Sequence, residues 1–137
     1  MKEYRILRDY LFRGKSVKDN NWVYGYYSYY KSEVDGEEYY YIRNLNILDT
    51  LVIKESIGQF TELYDVDNKP IYEGDILEEQ GHFVNWERKV YVDVNWKTNY
   101  SCWLRGAYTR LTPKNIREYK AKVVGNIYDN SELLEDK

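Results

Sequence analysis

The chain has 137 residues, 43% hydrophobic and 31% charged, with a net charge of −3. That balance excludes a disordered chain, and nothing in it approaches a membrane span, so a folded protein of one domain or two small intertwined ones is expected. A single cysteine, Cys102, excludes an intramolecular disulfide and a zinc cluster; with no N-terminal apolar run of signal-peptide type, the expectation is a protein used in a reducing cytoplasm.

Lys2 to Phe12 is charged and extended, with Tyr4, Ile6 and Arg8 on one face, which predicts a first strand leading to a turn at Gly14. Asp19-Asn20-Asn21 is a second turn signal. Trp22 to Lys31 follows as a long strand, Glu33 to Glu37 as a hairpin loop with Asp35-Gly36 at its tip, and Glu38 to Leu45 as the returning strand. Of the 17 tyrosines, eight fall between Tyr24 and Tyr41, so this segment alone argues strongly for strands. Alternation points Trp22, Tyr24, Tyr26, Ser28 and Tyr30 one way, and Val23, Gly25, Tyr27 and Tyr29 the other. Both faces are aromatic, and each phenol needs a hydrogen-bond partner or water.

Leu48 to Ile53 predicts another short strand. Ile57 to Leu77 reads as strand, tight turn at Asp65 to Pro70, strand, glycine bend at Gly74, and a further strand opening at Asp75. The strand continues towards Gly81 and resumes from His82 to Trp86; Val90, Val92, Val94 and Trp96 alternate with polar residues. A turn at Thr98-Asn99 precedes a mixed strand from Tyr100 to Tyr108. Thr112-Pro113 caps a short helical turn through Tyr119. Ala121 to Tyr128 is the last strand, and Asn130 is placed to cap a C-terminal turn.

The predicted class is therefore mostly β with little helix: a Tyr-rich N-terminal β-meander over residues 1–55 and, over 56–137, a signature hairpin followed by a part that resembles a small SH3-like β-barrel. The boundary is expected between Thr50 and Ile57, and the two parts are compatible with one intertwined domain.

Three blocks carry a resemblance to a known family. Phe12-Arg13-Gly14-Lys15 with Trp22-Val23-Tyr24-Gly25-Tyr26 forms the first; Gly58-Gln59-Phe60-Thr61, the Asp65 turn and Ile71-Tyr72-Glu73-Gly74-Asp75-Ile76 form the second. Val124-Gly125-Asn126-Ile127-Tyr128 followed by Asp129-Asn130-Ser131-Glu132-Leu133-Leu134 forms the third. In this order they resemble the YopX family, small proteins encoded mainly by phages and prophages of Gram-positive bacteria. The resemblance implies no established biochemical activity. It marks Gly58, Asp65, Tyr72, Gly74, Asp75, Gly125 and Asn126 as structural signature positions. The chain departs from the family pattern at Glu62 and Asn68, where glycine is usual, and at Ser131, where proline is frequent.

Catalytic and metal constellations are weak. Asp65-x-Asp67-Asn68 has the beginning of a calcium loop, but Pro70 and Ile76 occupy positions that need glycine and a bidentate acid. Glu73 and Asp75 flank a glycine bend, where a carboxylate that accepts backbone N–H bonds explains them better than acid–base chemistry. His82 and Cys102 lack a third, orienting group, and no phosphate-binding or dinucleotide glycine loop is present. The expectation is a protein that is not an enzyme and needs no cofactor or metal.

Two surfaces remain. Trp22, Tyr24, Tyr26, Tyr27, Tyr29, Tyr39 and Tyr41 suit self-association or a host-protein partner, since tyrosine and tryptophan bury large area at little rotamer cost. The alternative is a nucleic-acid contact by Trp103, Arg105, Tyr108, Arg110, Lys114 and Arg117, within a stretch from 101 to 122 that carries six Lys/Arg against one acid. The functional expectation is a phage-type accessory protein that acts as a non-catalytic, homo-oligomeric binding module, with nucleic-acid binding by a small β-barrel as the alternative.

Overall fold

The computed structural model describes residues 12–44, 46, 48–82 and 85–135, and for residues 82 and 85–87 the backbone only. The expected first strand from Lys2, with Tyr4, Ile6 and Arg8, lies outside these residues up to Phe12. The protein is mostly β, built as two antiparallel sheets, and divides into two compact units, Met1–Phe60 and Thr61–Lys137.

In the first unit, β1 (Phe12–Lys15), β2 (Trp22–Lys31), β3 (Glu38–Arg43) and β4 (Asp49–Leu51) lie in the order β4-β3-β2-β1, and β5 (Gly58–Tyr64) joins β1. The long strand β2 changes partner along its length. Trp22 to Gly25 pair with β1, while Tyr26 to Lys31 pair with β3. The turn expected at Gly14 does not form, because Gly14 lies inside β1; the chain turns at residues 17–19, where the expected Asp19-Asn20-Asn21 turn begins. A Cβ on Gly14 would stand only 3.1 Å from the Val52 side chain, tighter than ordinary contact, so the glycine serves close packing. Asn20 takes the left-handed conformation at the end of that turn. Among the described residues of this unit, Ile42, Val52 and Phe60 are buried with Ser16 and Ser56. Ser56 compensates its own burial, as its hydroxyl donates to the Ile53 carbonyl and accepts from Lys15 N at 2.7 Å.

β5 continues past the unit boundary, and its later residues neighbour β6 (Pro70–Tyr72) in the second unit. The remaining strands are β7 (Asp75–His82), β8 (Asn85–Lys97), β9 (Cys102–Arg105), β10 (Thr109–Arg110) and β11 (Lys122–Asn126), in the order β10-β9-β8-β7-β11. The mixed strand expected from Tyr100 to Tyr108 is broken by a turn at residues 106–108, where Gly106 has positive φ, into the β9–β10 hairpin. The expected helical turn is α1 (Pro113–Glu118); Thr112 accepts from Asn115 N at 3.1 Å, and proline needs no N–H at the first position.

Leu77, Val94, Ile71, Leu111, Ile116 and Ala121 form the core of the second unit, flanked by Leu63, Val92, Trp103 and Val123. Full burial of each Leu, Ile or Val contributes about 1.5–3 kcal/mol. The barrel expected here does not close among the described residues. β10, only two residues long, ends the sheet on one side, and β11 ends it on the other after pairing with β7.

Candidate functional site

The β2–β3 hairpin is locally determined. In its loop, Ser32 N donates to the Glu37 carbonyl and Gly36 N to the Ser32 carbonyl, both at 2.9 Å. The side chains finish the turn: Val34 N donates to Ser32 Oγ and Glu37 N to Asp35 Oδ1. The register pairs Tyr30 with Tyr39, Ser28 with Tyr41 and Tyr26 with Arg43 on one face, and Tyr29 with Tyr40 and Tyr27 with Ile42 on the other. On the first face, Tyr30 and Tyr39 stack with centroids 6.3 Å apart. On the second, Tyr40 lies 5.2 Å from Tyr29 and 6.2 Å from Tyr27, and Tyr27 lies 5.6 Å from Phe12.

These rings remain accessible on both faces. Tyr26, Tyr27, Tyr29 and Tyr30 are 41–55% exposed, whereas Tyr39, Tyr40 and Tyr41 are half-buried. Tyr24 is exposed beside them, and Trp22 is half-buried under the Arg13 guanidinium, 4.4 Å from its ring, and the Lys15 ammonium at 5.3 Å. Sequence patterning located the tyrosines but missed this stacking of two buried cations on Trp22; the alternation of Arg13 and Lys15 opposite an aromatic was its only trace.

Acids near the tip hold the phenols. Tyr29 Oη donates to Glu38 Oε2 at 2.9 Å, which, with desolvation and the Glu38 charge, raises its pKa above the ordinary tyrosine value. Tyr39 is raised chiefly by the Asp35 charge, then by desolvation and a hydrogen bond to Asp35. The Asp35 carboxyl is held below its usual range by the Glu37 N–H. Lys54 Nζ sits 5.5 Å over Tyr40 and is raised chiefly by that phenol's charge interaction. At neutral pH Tyr29 and Tyr39 are therefore neutral, and Asp35 is ionised.

The second set of candidate residues is not brought together as one surface. Arg105 is buried, and its Nε and Nη2 both donate to the fully buried Glu79 carboxylate, with the guanidinium 4.7 Å from the Tyr119 ring. Register places Glu79, Leu77, Val92, Val94 and Arg105 on one face of the sheet, so the ion pair belongs to the core side. Trp103 is half-buried, edge-on to Trp96 at 5.0 Å. Tyr108, Arg110, Lys114 and Arg117 are exposed. No spacing rule in the sequence links Glu79 to Arg105; only the β7–β8–β9 register does.

The signature positions organise turns. Asp65 Oδ1 accepts from Asp67 N and Lys69 N at 2.8 and 2.9 Å, while Oδ2 accepts from Val123 N at 2.9 Å. Asp75 Oδ2 accepts from Tyr72 N at 2.7 Å across a turn where Gly74 has φ of 92°. Gly58 and Tyr72 are buried. At Gly125 a Cβ would come within 2.5 Å of Asn130 Oδ1, which accepts from Asn126 N instead of capping the following turn. Asn126 Oδ1 accepts from Tyr128 N and Asp129 N. Both departures from family glycine, Glu62 and Asn68, have positive φ, at 68° and 64°. Asparagine suits that conformation; glutamate is strained there.

Among the described residues, no group of three or more His, Cys, Asp or Glu side chains could hold a metal ion, and no helix is long and apolar enough to cross a membrane. Cys102 is half-buried, opposite Lys97 on β8.

The family model described as YopX protein matches residues 11–135. No curated protein matches the sequence significantly. The crystal structure of protein EF1440 from Enterococcus faecalis is similar, with a TM-score of 0.55 and 18% identity over 91% of this chain and 97% of that one. At that identity the likeness concerns the fold.

Proposed function

Because this chain belongs to the YopX protein family, we propose that it is a phage-type accessory protein that acts as a non-catalytic binding module and self-associates through its Trp22–Tyr41 meander. The observation that carries this reading is the half-exposure of tyrosines on both faces of one hairpin, around Tyr26 and Tyr30 on one and Tyr27 and Tyr29 on the other. Exposed aromatic area of this kind is the usual mark of an interface. The proposal includes residence in the host cytoplasm, no cofactor, and a second unit whose bent meander, entered at Gly74-Asp75, is related to SH3-like barrels without closing as one.

Light scattering on the purified protein tests it. Tyr27→Ser with Tyr29→Ser probes one face, and Tyr24→Ser with Tyr26→Ser the other. One pair is expected to lower the mass while circular dichroism stays unchanged. A wild-type monomer at tens of micromolar, with both pairs merely destabilising it, would refute self-association.

A second reading, nucleic-acid contact, is favoured by the exposure of Tyr108, Arg110, Lys114 and Arg117; it excludes Arg105. Such binding would weaken steeply with salt. Absence of binding to single-stranded or duplex oligonucleotides at low salt would dismiss it.

A further inference from the structure

An acidic hairpin tip and a basic edge carry opposite charge. The 32–38 loop carries Glu33, Asp35, Glu37 and Glu38, all exposed, and no base. The edge formed by β10 and α1 carries Arg110, Lys114 and Arg117, also exposed, against Glu118 alone. That edge is held together, since the Asn115 side-chain amide donates to the Arg110 carbonyl at 2.8 Å. Each surface also presents an apolar side chain to solvent. Val34, in the first loop, is 96% exposed, and Tyr108, in the 106–108 turn before β10, is 92% exposed; these are the two most exposed large apolar side chains among the described residues.

We infer that the acidic 32–38 tip of one copy docks on the basic β10–α1 edge of a second copy. This rests on the self-association proposed above and names its contact. Charge complementarity selects the occupant: the tip repels another tip, and the edge repels another edge, so a symmetric contact through either alone is disfavoured. Tip against edge brings unlike charges together and covers Val34 and Tyr108 at once. The Tyr29, Tyr30 and Tyr39 rings behind the tip would add apolar area around the charged contact. Made once per pair of copies, this contact builds a ring or a filament; made twice, with each tip on the other copy's edge, it closes a two-fold dimer.

Charge reversal tests this on the full chain, with all substitutions at exposed positions and folding checked by melting temperature. One variant carries Glu33→Lys and Glu37→Lys; the other carries Lys114→Glu and Arg117→Glu. Alone, each is expected to associate about tenfold or more weakly than wild type in light scattering at about 50 mM salt, where exposed charges are little screened. Mixed in equal amounts they should regain association, because each supplies the surface complementary to the other's altered one. Wild-type mass in both separate variants would overturn the tip-to-edge contact while leaving self-association through the tyrosine faces standing. Loss of association in only one variant, or no recovery on mixing, would also overturn it, assigning the sensitive surface to a different partner. A monomeric wild type would remove both proposals.

Discussion

Replacing Asp65 by alanine would leave three backbone N–H groups without their acceptor at once. Two of them, on Asp67 and Lys69, close the turn between β5 and β6; the third, on Val123, belongs to β11, 58 positions along the chain. Asp65 is itself buried. A hydrogen bond to a charged group contributes about 1.5–3 kcal/mol net, and an unsatisfied buried donor costs about 1–3 kcal/mol. The turn residues Asp67 and Lys69 are exposed, so water replaces much of what they lose, whereas Val123 is half-buried. Weighing the three in this way gives a loss of about 3–4 kcal/mol for Asp65→Ala. Asp65→Asn keeps an oxygen for the turn but presents an NH2 group to Val123 N–H, for a loss of about 2 kcal/mol. Against a domain stability of about 5–15 kcal/mol, both are large enough to measure. Urea denaturation followed by tryptophan fluorescence reads the midpoint and slope separately. Stability should fall in the order wild type, Asn, Ala, with the slope unchanged. An alanine variant within about 1 kcal/mol of wild type would refute the view that this carboxylate ties the turn to β11.

Two further changes test the second unit. Arg105→Ala should cost about 3–5 kcal/mol by taking the guanidinium away from the buried Glu79 carboxylate, while the double change Glu79→Leu with Arg105→Leu should recover most of it; equal melting temperatures for single and double variants would show that the pair is not coupled. Glu62→Gly should raise stability by up to about 1 kcal/mol, the relief of a strained left-handed residue less the added freedom of the unfolded chain. A fall in melting temperature would mean that the glutamate side chain contributes more than its backbone strain removes.

The strands were legible where side-chain alternation and turn chemistry agreed. Trp22 to Lys31, with Asp35-Gly36 beyond it, carried both signals, and β2 has those bounds. Thr112-Pro113 likewise announced α1, because the cap and the proline act locally. The break in the expected Tyr100–Tyr108 strand was harder to place: glycine at 106 permits a turn, but the β8–β9 register decides that the chain reverses there. Barrel closure was not legible either, since it depends on which edges meet. The tyrosines were found as candidate surface residues from alternation alone, yet the core position of Arg105 was hidden. Its partner Glu79 is 26 residues away in the chain, and only sheet pairing makes them neighbours.

Tyrosine, rather than leucine, lets one hairpin be both stable and exposed. From Tyr26 to Lys31, β2 has β3 as its paired strand, and the rings of Tyr26, Tyr27, Tyr29 and Tyr30 stay exposed. Cross-strand pairs such as Tyr30–Tyr39 and Tyr29–Tyr40 contribute roughly 0.2–1 kcal/mol each, which helps hold the two strands together without full burial. The phenols then meet water or the carboxylates of Glu38 and Asp35, so half-exposure leaves no hydroxyl stranded. Leucines at the same positions would need a covering layer to be stable, or would leave a sticky face. The same rings can therefore support the hairpin in a free copy and supply contact area in an associated one. For that reason loss of mass in the Tyr27/Tyr29 variant has meaning only alongside retained β structure: stacking loss and contact loss are separable there because the core residues Ile42 and Val52 are untouched.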